Sequence, residues 1–142
     1  MKDFLSKLDI DLKETDAKVL SPLVYAYVGD ALYEIYIRYY VVTKYKVKVN
    51  NMHKNSTKFV KASAQAQIVH ALTDFFTEEE WKFIKKGRNH KTSTVAKNAS
   101  ITDYRYATGF ECLLGYLFLT KDYERVEEII VEAIKTLDGS ID

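Results

Sequence analysis

Residues 21–42 read SPLVYAYVGDALYEIYIRYYVV, and this segment decides the fold class. Ser21 followed by Pro22 is a typical helix start, with serine as the N-cap and proline in the first turn. The apolar and aromatic run that follows predicts a helix from Pro22 to about Thr43, and we expect it to be buried on nearly all sides. Three charges inside this window argue against a membrane span.

Those three charges are Asp30, Glu34 and Arg38, which are four residues apart and therefore share one face of the helix. Glu34 and Arg38 can form an ion pair across one turn. Asp30 lies one turn further into the apolar region, where an ionised carboxylate costs several kcal/mol unless a cation compensates it. Asp30 is therefore a candidate functional residue.

A second apolar stretch repeats the pattern. Between Tyr106 and Leu119 the only ionisable acid is Glu111. Arg105, Thr108 and Glu111 are three residues apart and fall on one helix face. Arg105 has two interpretations at this stage: contact with a substrate phosphate, or a structural ion pair with an acid on its face or with Glu34.

Glycines accompany both acids: Gly29 precedes Asp30, and Gly115 follows Glu111 by one turn. A residue without a Cβ lets two helix backbones approach closely. Two carboxylates on two packed core helices can share one divalent metal, and oxygen ligands suit Mg²⁺ or Mn²⁺. The spacing leaves a second interpretation open, in which each acid pairs with a lysine, an arginine or a helix N-terminus.

The rest of the chain also predicts helices, and hence an all-α fold. Thr77 and the three glutamates after it form a capping box that starts a helix ending near Gly87. The polar, acid-free segment from Gly87 to Ser100 predicts a loop. Further helices are expected at 51–72, 102–120 and 122–137, with a short one in the first twenty residues.

Composition limits the class of protein. The chain has 142 residues, 47% of them hydrophobic, which suits one folded domain. Its one cysteine, Cys112, excludes an intramolecular disulfide and a cysteine-rich zinc site, and its neighbours predict a core residue rather than a nucleophile. The first twenty residues carry charges throughout, unlike a signal peptide. We expect a reduced, cytoplasmic protein that does not bind membranes.

Charge is distributed unevenly along the chain. Residues 41–98 hold 12 basic and 4 acidic side chains, whereas both flanking segments are acidic overall. A basic face is what a polyphosphate partner requires, because each lysine or arginine near a phosphate releases counterions. A lysine-rich solvated surface explains the same count equally well.

Two segments resemble a known family. Residues 27–32, Tyr-Val-Gly-Asp-Ala-Leu, resemble the signature helix of the ribonuclease III family, and residues 110–115, Phe-Glu-Cys-Leu-Leu-Gly, resemble its second motif. Residues 26–38, 52–67 and 87–119 are most similar to Mini-ribonuclease III, the short bacterial branch that has the nuclease domain alone. The resemblance extends over about residues 21–133.

The resemblance implies one all-α nuclease domain over residues 1–142, without a double-stranded-RNA-binding domain, that works as a homodimer on double-stranded RNA. It implies that Asp30 and Glu111 are catalytic and ligate Mg²⁺, with Mn²⁺ as a substitute. A metal-activated water would then leave 5′-phosphate and 3′-hydroxyl ends. It further implies maturation of 23S ribosomal RNA precursors, with a ribosomal protein as a further partner.

The sequence departs from the family at several acidic positions. Ala26 and Leu23 stand where classical members have two further acids, Thr108 replaces an aspartate, and Gln67 aligns with a glutamate. Two family acids alone remain, so we expect one firmly held ion per subunit rather than a full two-metal arrangement.

Basic residues in the middle of the chain are the candidates for gripping the RNA backbone. They are His53, Lys54, Lys58, Lys85, Lys86, Arg88, Lys91 and Lys97. Arg105, Thr108, Glu34 and Arg38 are candidates for supporting the site. Recognition should depend on A-form shape and 2′-hydroxyls more than on base sequence.

Two other functions are compatible with parts of the sequence. A non-catalytic RNA-binding or ribosome-assembly module would keep the fold after losing acids. An all-α nucleotide hydrolase would use the run Glu78 to Glu80, although helix capping explains that run better. Retention of both Asp30 and Glu111 favours the nuclease.

Overall fold

The computed structural model describes residues 4–46, 48–90 and 100–139, and these residues form helices without any strand. After a short 3-10 turn at Leu5–Leu8, the helices are α1 (Glu14–Ala17), α2 (Pro22–Lys44), α3 (Val49–Val60), α4 (Ala62–Ala71), α5 (Glu78–Asn89), α6 (Ile101–Leu119) and α7 (Tyr123–Leu137). The expected all-α fold is confirmed.

Helix α6 lies at the centre of the structure. Phe110, Leu113 and Leu114 in its second half are fully buried, and helices α2, α4 and α5 pack against it. Helix α2 begins as predicted, because the Ser21 hydroxyl accepts a hydrogen bond from the Leu23 amide at 3.3 Å. Within the described residues, no helix has the length and apolar character needed to cross a membrane.

Helices α2 and α6 cross with their backbones in contact. A Cβ added to Gly29 would lie 1.8 Å from the Glu111 carbonyl oxygen, and one added to Gly115 would lie 1.8 Å from the Tyr25 carbonyl oxygen. Any larger residue would therefore force the helices apart. The close approach expected from these glycines is confirmed.

A second glycine contact joins α5 to α6 and corrects a prediction. Gly87 does not end a helix; it is buried inside α5, which continues to Asn89. A Cβ on Gly87 would lie 2.8 Å from the Cys112 Cβ and from the Gly109 Cα. This glycine serves close helix packing, so the predicted loop begins later than expected, and residues 91–99 of it lie outside the described residues.

Helix α2 is not buried on nearly all sides, contrary to expectation. Tyr25, Tyr33 and Ile37 are buried, but Tyr27 and Ile35 on the opposite side are 81% and 61% exposed. The described helices that pack against α2 cover the side that carries Tyr25, Tyr33 and Ile37. One apolar face is consequently left at the surface, next to the stripe that carries Asp30.

The helix predicted over residues 51–72 is two helices. Lys61 adopts an extended backbone (ψ 154°) and separates α3 from α4. The carbonyls at the end of α3 receive side-chain donors: the Tyr33 hydroxyl donates to the Phe59 carbonyl at 3.1 Å, and the Gln65 amide donates to the Val60 carbonyl at 2.8 Å. These bonds compensate for the helical hydrogen bonds lost at the break.

Helix α5 begins with the predicted capping box between Thr77 and Glu80. Arg125 of α7 also binds the Glu80 carboxylate with two hydrogen bonds, of 2.8 and 2.9 Å, and donates to the Phe75 carbonyl. Glu80 therefore joins two helices structurally. The contacts of Glu80 are thus those of a helix cap and an ion pair, as the capping interpretation of this run predicts.

Candidate active site

The α2–α6 crossing brings Asp30 and Glu111 together. Asp30 follows the glycine that touches the Glu111 backbone, and the two carboxyl groups are close enough to hydrogen-bond. Because backbone contact determines this approach, the acids are attached to a rigid part of the molecule. The two residues singled out from sequence form one site.

The surroundings of Glu111 destabilise the ionised form of its carboxyl group. Burial raises the pKa of its carboxyl to about 8, and the negative charges of Asp30 and Glu34 contribute in the same direction. A hydrogen bond from Gln65 opposes the shift. No ion pair of either acid with a lysine or arginine occurs among the described residues, so the pairing with a basic side chain that the sequence left open is not observed.

Asp30 differs from the expectation in one respect. Its side chain is exposed rather than buried, because the apolar face of α2 beside it is uncovered. The site is therefore a partly buried glutamate beside an aspartate open to solvent. Such a site is accessible to a ligand from one side.

Gln65 is a site residue that the sequence analysis missed. It lies on α4, is 3% exposed, and its Nε2 donates to the Glu111 Oε2 at 3.2 Å. The family comparison of residues pointed instead to Gln67, which is exposed on the same helix. No sequence signal distinguishes the two glutamines, because the break at Lys61 sets the rotation of α4.

Glu34 and Arg38 extend the site along α2. Their predicted ion pair is present, with 3.6 Å between Arg38 Nε and Glu34 Oε2. That oxygen is buried without a hydrogen bond from the described residues, as is Oε1 of Gln65. Near the carboxyl pair, Gln65 Oε1 therefore has no hydrogen bond from the described residues, and Glu34 Oε2 has only its ion pair with Arg38.

These groups fit a divalent cation. Two adjacent carboxyl groups without a basic partner need either a proton or a cation to neutralise them, and all the donor atoms are oxygens, as Mg²⁺ and Mn²⁺ prefer. Among the described residues, no three aspartate, glutamate, histidine or cysteine side chains are grouped closely enough to enclose a metal. Asp30 and Glu111 would be the ligands, with the remaining positions left to water and substrate.

Comparison with known proteins assigns the chain to a family. The family model described as the ribonuclease III domain matches residues 23–122, which contain both acids and the crossing. The chain belongs to the ribonuclease III family. This membership confirms the expected enzyme class, an endoribonuclease.

Relatives within the family align with the chain over most of their length. It is 48% identical to the Mini-ribonuclease 3 of Clostridium tetani over 131 residues, covering 92% of this chain and 87% of that protein. It is 42% identical to the Mini-ribonuclease 3 of a Thermoanaerobacter species, with coverage of 97% and 96%. A crystal structure of a Fusobacterium nucleatum protein is 28% identical, with a TM-score of 0.76, covering 89% of this chain and 98% of that one.

Two further candidates from the family motifs lie on α6. Thr108 is partly buried and donates from its hydroxyl to the Tyr104 carbonyl at 3.0 Å, a local bond within the helix. Arg105 is exposed and forms no ion pair with Glu34 or Glu111 among the described residues. Its structural pairing is therefore not observed, and phosphate contact stays a prediction.

The candidate RNA contacts occupy helices that both pack against α2. On α3, His53, Lys54 and Lys58 are exposed; on α5, Lys85 and Lys86 are exposed. Arg88 is partly buried, with its guanidinium 5.6 Å from the Tyr106 ring centroid. Lys91 and Lys97 lie outside the described residues. The basic groups thus flank the helix that carries Asp30.

Cys112 is adjacent to Glu111 in sequence but is buried in the core. Burial raises the pKa of its thiol to about 12, so the thiol is protonated near neutral pH. This confirms that Cys112 is a packing residue.

Proposed function

We propose that the protein cleaves double-stranded RNA in a reaction that depends on a divalent metal bound by Asp30 and Glu111. The observation that carries this proposal is the carboxyl pair without a basic partner at the α2–α6 crossing. Membership of the ribonuclease III family supports the same reaction class. Mg²⁺ is the proposed ion and Mn²⁺ its substitute.

Each residue of the site has a defined task. Burial and the charge of Asp30 raise the pKa of the Glu111 carboxyl, so Glu111 would release its proton when a cation binds. Asp30, open to solvent, supplies the second carboxylate. The bound ion would supply positive charge for water activation and for the phosphate in the transition state. The products would carry 5′-phosphate and 3′-hydroxyl ends.

Basic side chains on α3 and α5 would hold the RNA backbone. Lysine and arginine contacts to phosphates position a duplex without reading its sequence, which suits recognition of A-form shape. The proposed RNA-binding residues are the basic residues predicted from sequence, including Lys91 and Lys97. Arg105 is exposed on the helix that carries Glu111, which supports its assignment to a phosphate near the cleaved bond.

The exposed apolar face of α2 is the proposed contact between two subunits. Leu23, Tyr27, Ala31 and Ile35 follow one another at intervals of four residues and are all exposed. A homodimer would cover this face and place one site opposite each strand of a duplex. The finer assignment that we propose is maturation of 23S ribosomal RNA precursors in the cytoplasm, where a ribosomal protein would present the substrate; it follows from the resemblance of the sequence motifs.

The deciding experiment is cleavage of an end-labelled duplex RNA with and without Mg²⁺. Wild type should cut only with Mg²⁺, and Asp30→Asn and Glu111→Gln should each lose about a hundredfold or more in rate while remaining folded. Glu124→Gln, an exposed glutamate on α7, is the matched control and should cut normally. Tight binding of duplex without any cutting by wild type would instead establish the non-catalytic binding module.

A second experiment tests the RNA surface. Replacing Lys85 and Lys86 together with alanine should weaken duplex binding and reduce the salt dependence of binding by roughly two units of slope. Lys135→Ala, at an exposed position on α7, should leave the slope unchanged. An unchanged slope in the double variant would remove α5 from the RNA-binding surface.

A further inference from the structure

Gln65 connects the carboxyl pair to the break between α3 and α4. Its Nε2 donates to the Glu111 carboxylate at 3.2 Å and to the Val60 carbonyl at 2.8 Å. The side chain is almost fully buried. One amide group thus contacts both a functional acid and the end of a helix.

The chemistry of its neighbours fixes the orientation of this amide. The Val60 carbonyl can only accept, so the amino end of the side chain faces it, and the same amino group reaches Glu111. Val60 is the last residue of α3, where Lys61 turns the chain to an extended conformation and the helical donors end. The backbone therefore anchors the Gln65 amide before it reaches Glu111.

Packing alone does not explain a glutamine at this position. Its Oε1 is buried without a hydrogen-bond partner among the described residues, and an unsatisfied buried acceptor destabilises a fold. A methionine would fill a similar volume with no polar atom to satisfy. The retained amide indicates a role in orienting Glu111.

We propose that Gln65 is a positioning residue that holds the Glu111 carboxylate in the orientation in which it and Asp30 bind a divalent cation. The identity of the cation rests on the proposed function. Glutamate has three side-chain torsions, and a fixed donor on one carboxylate oxygen restricts them. Removing a residue that hydrogen-bonds to a metal ligand typically lowers metal affinity or activity by about 10- to 100-fold.

The test is an NMR titration of the metal-free protein with Mg²⁺, without RNA. In wild type the side-chain amide signal of Gln65 should shift as Mg²⁺ binds, and that of Gln67 should not. Gln65→Met should weaken Mg²⁺ binding, followed on the Gly115 backbone amide, by about 10- to 100-fold. Gln67→Met, two residues along on the exposed side of α4, is the matched control and should bind Mg²⁺ normally.

Cleavage assays separate positioning from folding. In Gln65→Met the Mg²⁺ concentration for half-maximal rate should rise, while the rate at saturating Mg²⁺ recovers most of its value. In a Glu111→Gln background the same change should have no further effect on Mg²⁺ affinity. If the methionine variant does not fold, Gln65→Asn, which keeps the amide but shortens its reach, provides the measurement.

The outcomes separate this inference from the proposed function. A folded Gln65→Met protein with unchanged Mg²⁺ affinity overturns the positioning role even if wild type cleaves duplex RNA. Weakened Mg²⁺ affinity in a protein that cleaves no duplex retains the positioning role and overturns the proposed function. A wild type without any Mg²⁺-dependent shift overturns both.

Discussion

Glu80 and Glu111 are two glutamates with low exposure on neighbouring helices, and their electrostatic surroundings are opposite. Arg125 binds both oxygens of Glu80, and hydrogen bonds from Arg125 and Thr77 lower the pKa of that carboxyl in spite of its burial. Glu111 has Asp30 as its charged neighbour, and burial together with that charge raises its pKa. Burial alone therefore does not identify a functional acid.

Glu80 and Glu111 differ in the group that neutralises their negative charge. Glu80 is neutralised by a residue of the same chain, so its contribution is to stability. Glu111 is neutralised only when a proton or a cation arrives from outside, which is the condition expected of a ligand-binding group. Three predictions test whether this separation into a structural and a functional acid is correct.

The largest effect on stability should come from Glu80→Gln. Removing this charge leaves the Arg125 guanidinium, whose side chain is 19% exposed, without its main partner. We expect a loss of about 3 kcal/mol in the free energy of unfolding, measured by urea denaturation, and an unchanged cleavage rate where the protein is folded. Glu128→Gln, which removes the 51% exposed partner of Arg125, should lose under about 1 kcal/mol. Equal losses would contradict the structural role of Glu80.

A smaller effect of opposite sign should come from Glu111→Gln in the metal-free protein. The pKa of Glu111 is raised from 4.5 to about 8 by burial and by Asp30, so between these values the folded chain holds a proton that the unfolded chain has lost. Its contribution to stability is complete below pH 4.5 and is lost as the pH rises to 8. Between pH 6 and about pH 7.5 the variant should therefore gain about 2 kcal/mol relative to wild type, measured by denaturation with a chelator present.

The control for that measurement is Glu124→Gln, whose stability relative to wild type should not change over the same pH range. A flat difference for Glu111→Gln would show that Glu111 ionises normally in the folded protein. The electrostatic difference between Glu111 and Glu80 would then disappear.

The smallest effect should be stabilisation by Mg²⁺. At ten times the dissociation constant, a ligand that binds only the folded state adds about 1.4 kcal/mol. Wild type and Glu80→Gln should both gain this increment in thermal denaturation, and Glu111→Gln should not. The increment should grow between pH 6 and pH 8, because Mg²⁺ must displace the proton of Glu111. Equal stabilisation of all three proteins would place the ion elsewhere.

Local sequence signals predicted much of this structure. The N-cap at Ser21, the capping box at Thr77, and the meeting of Gly29 with Gly115 are all confirmed, because each depends on a few neighbouring residues or on a requirement for small size. The pairing of Asp30 with Glu111 was predicted from the unfavourable energy of an acid in an apolar helix, and that reason holds for Glu111 but not for Asp30, which is exposed.

Features that depend on distant contacts were not predictable. The break at Lys61 has neither proline nor glycine, and it is compensated in part by Tyr33, which reaches the end of α3 from α2. Gln65 enters the site only because of that break. Gly87 was interpreted as a helix end because glycine is typical there, whereas its lack of a Cβ serves contact with α6.

The backbone contact between Gly29 and Gly115 also bears on ion choice. Since neither helix can move toward the other without overlap, the site cannot contract by shifting its helices. Adjustment to the radius of an ion then falls to the side-chain torsions of Asp30 and Glu111. We therefore expect ionic size to distinguish the divalent ions that support cleavage from those that merely occupy the site.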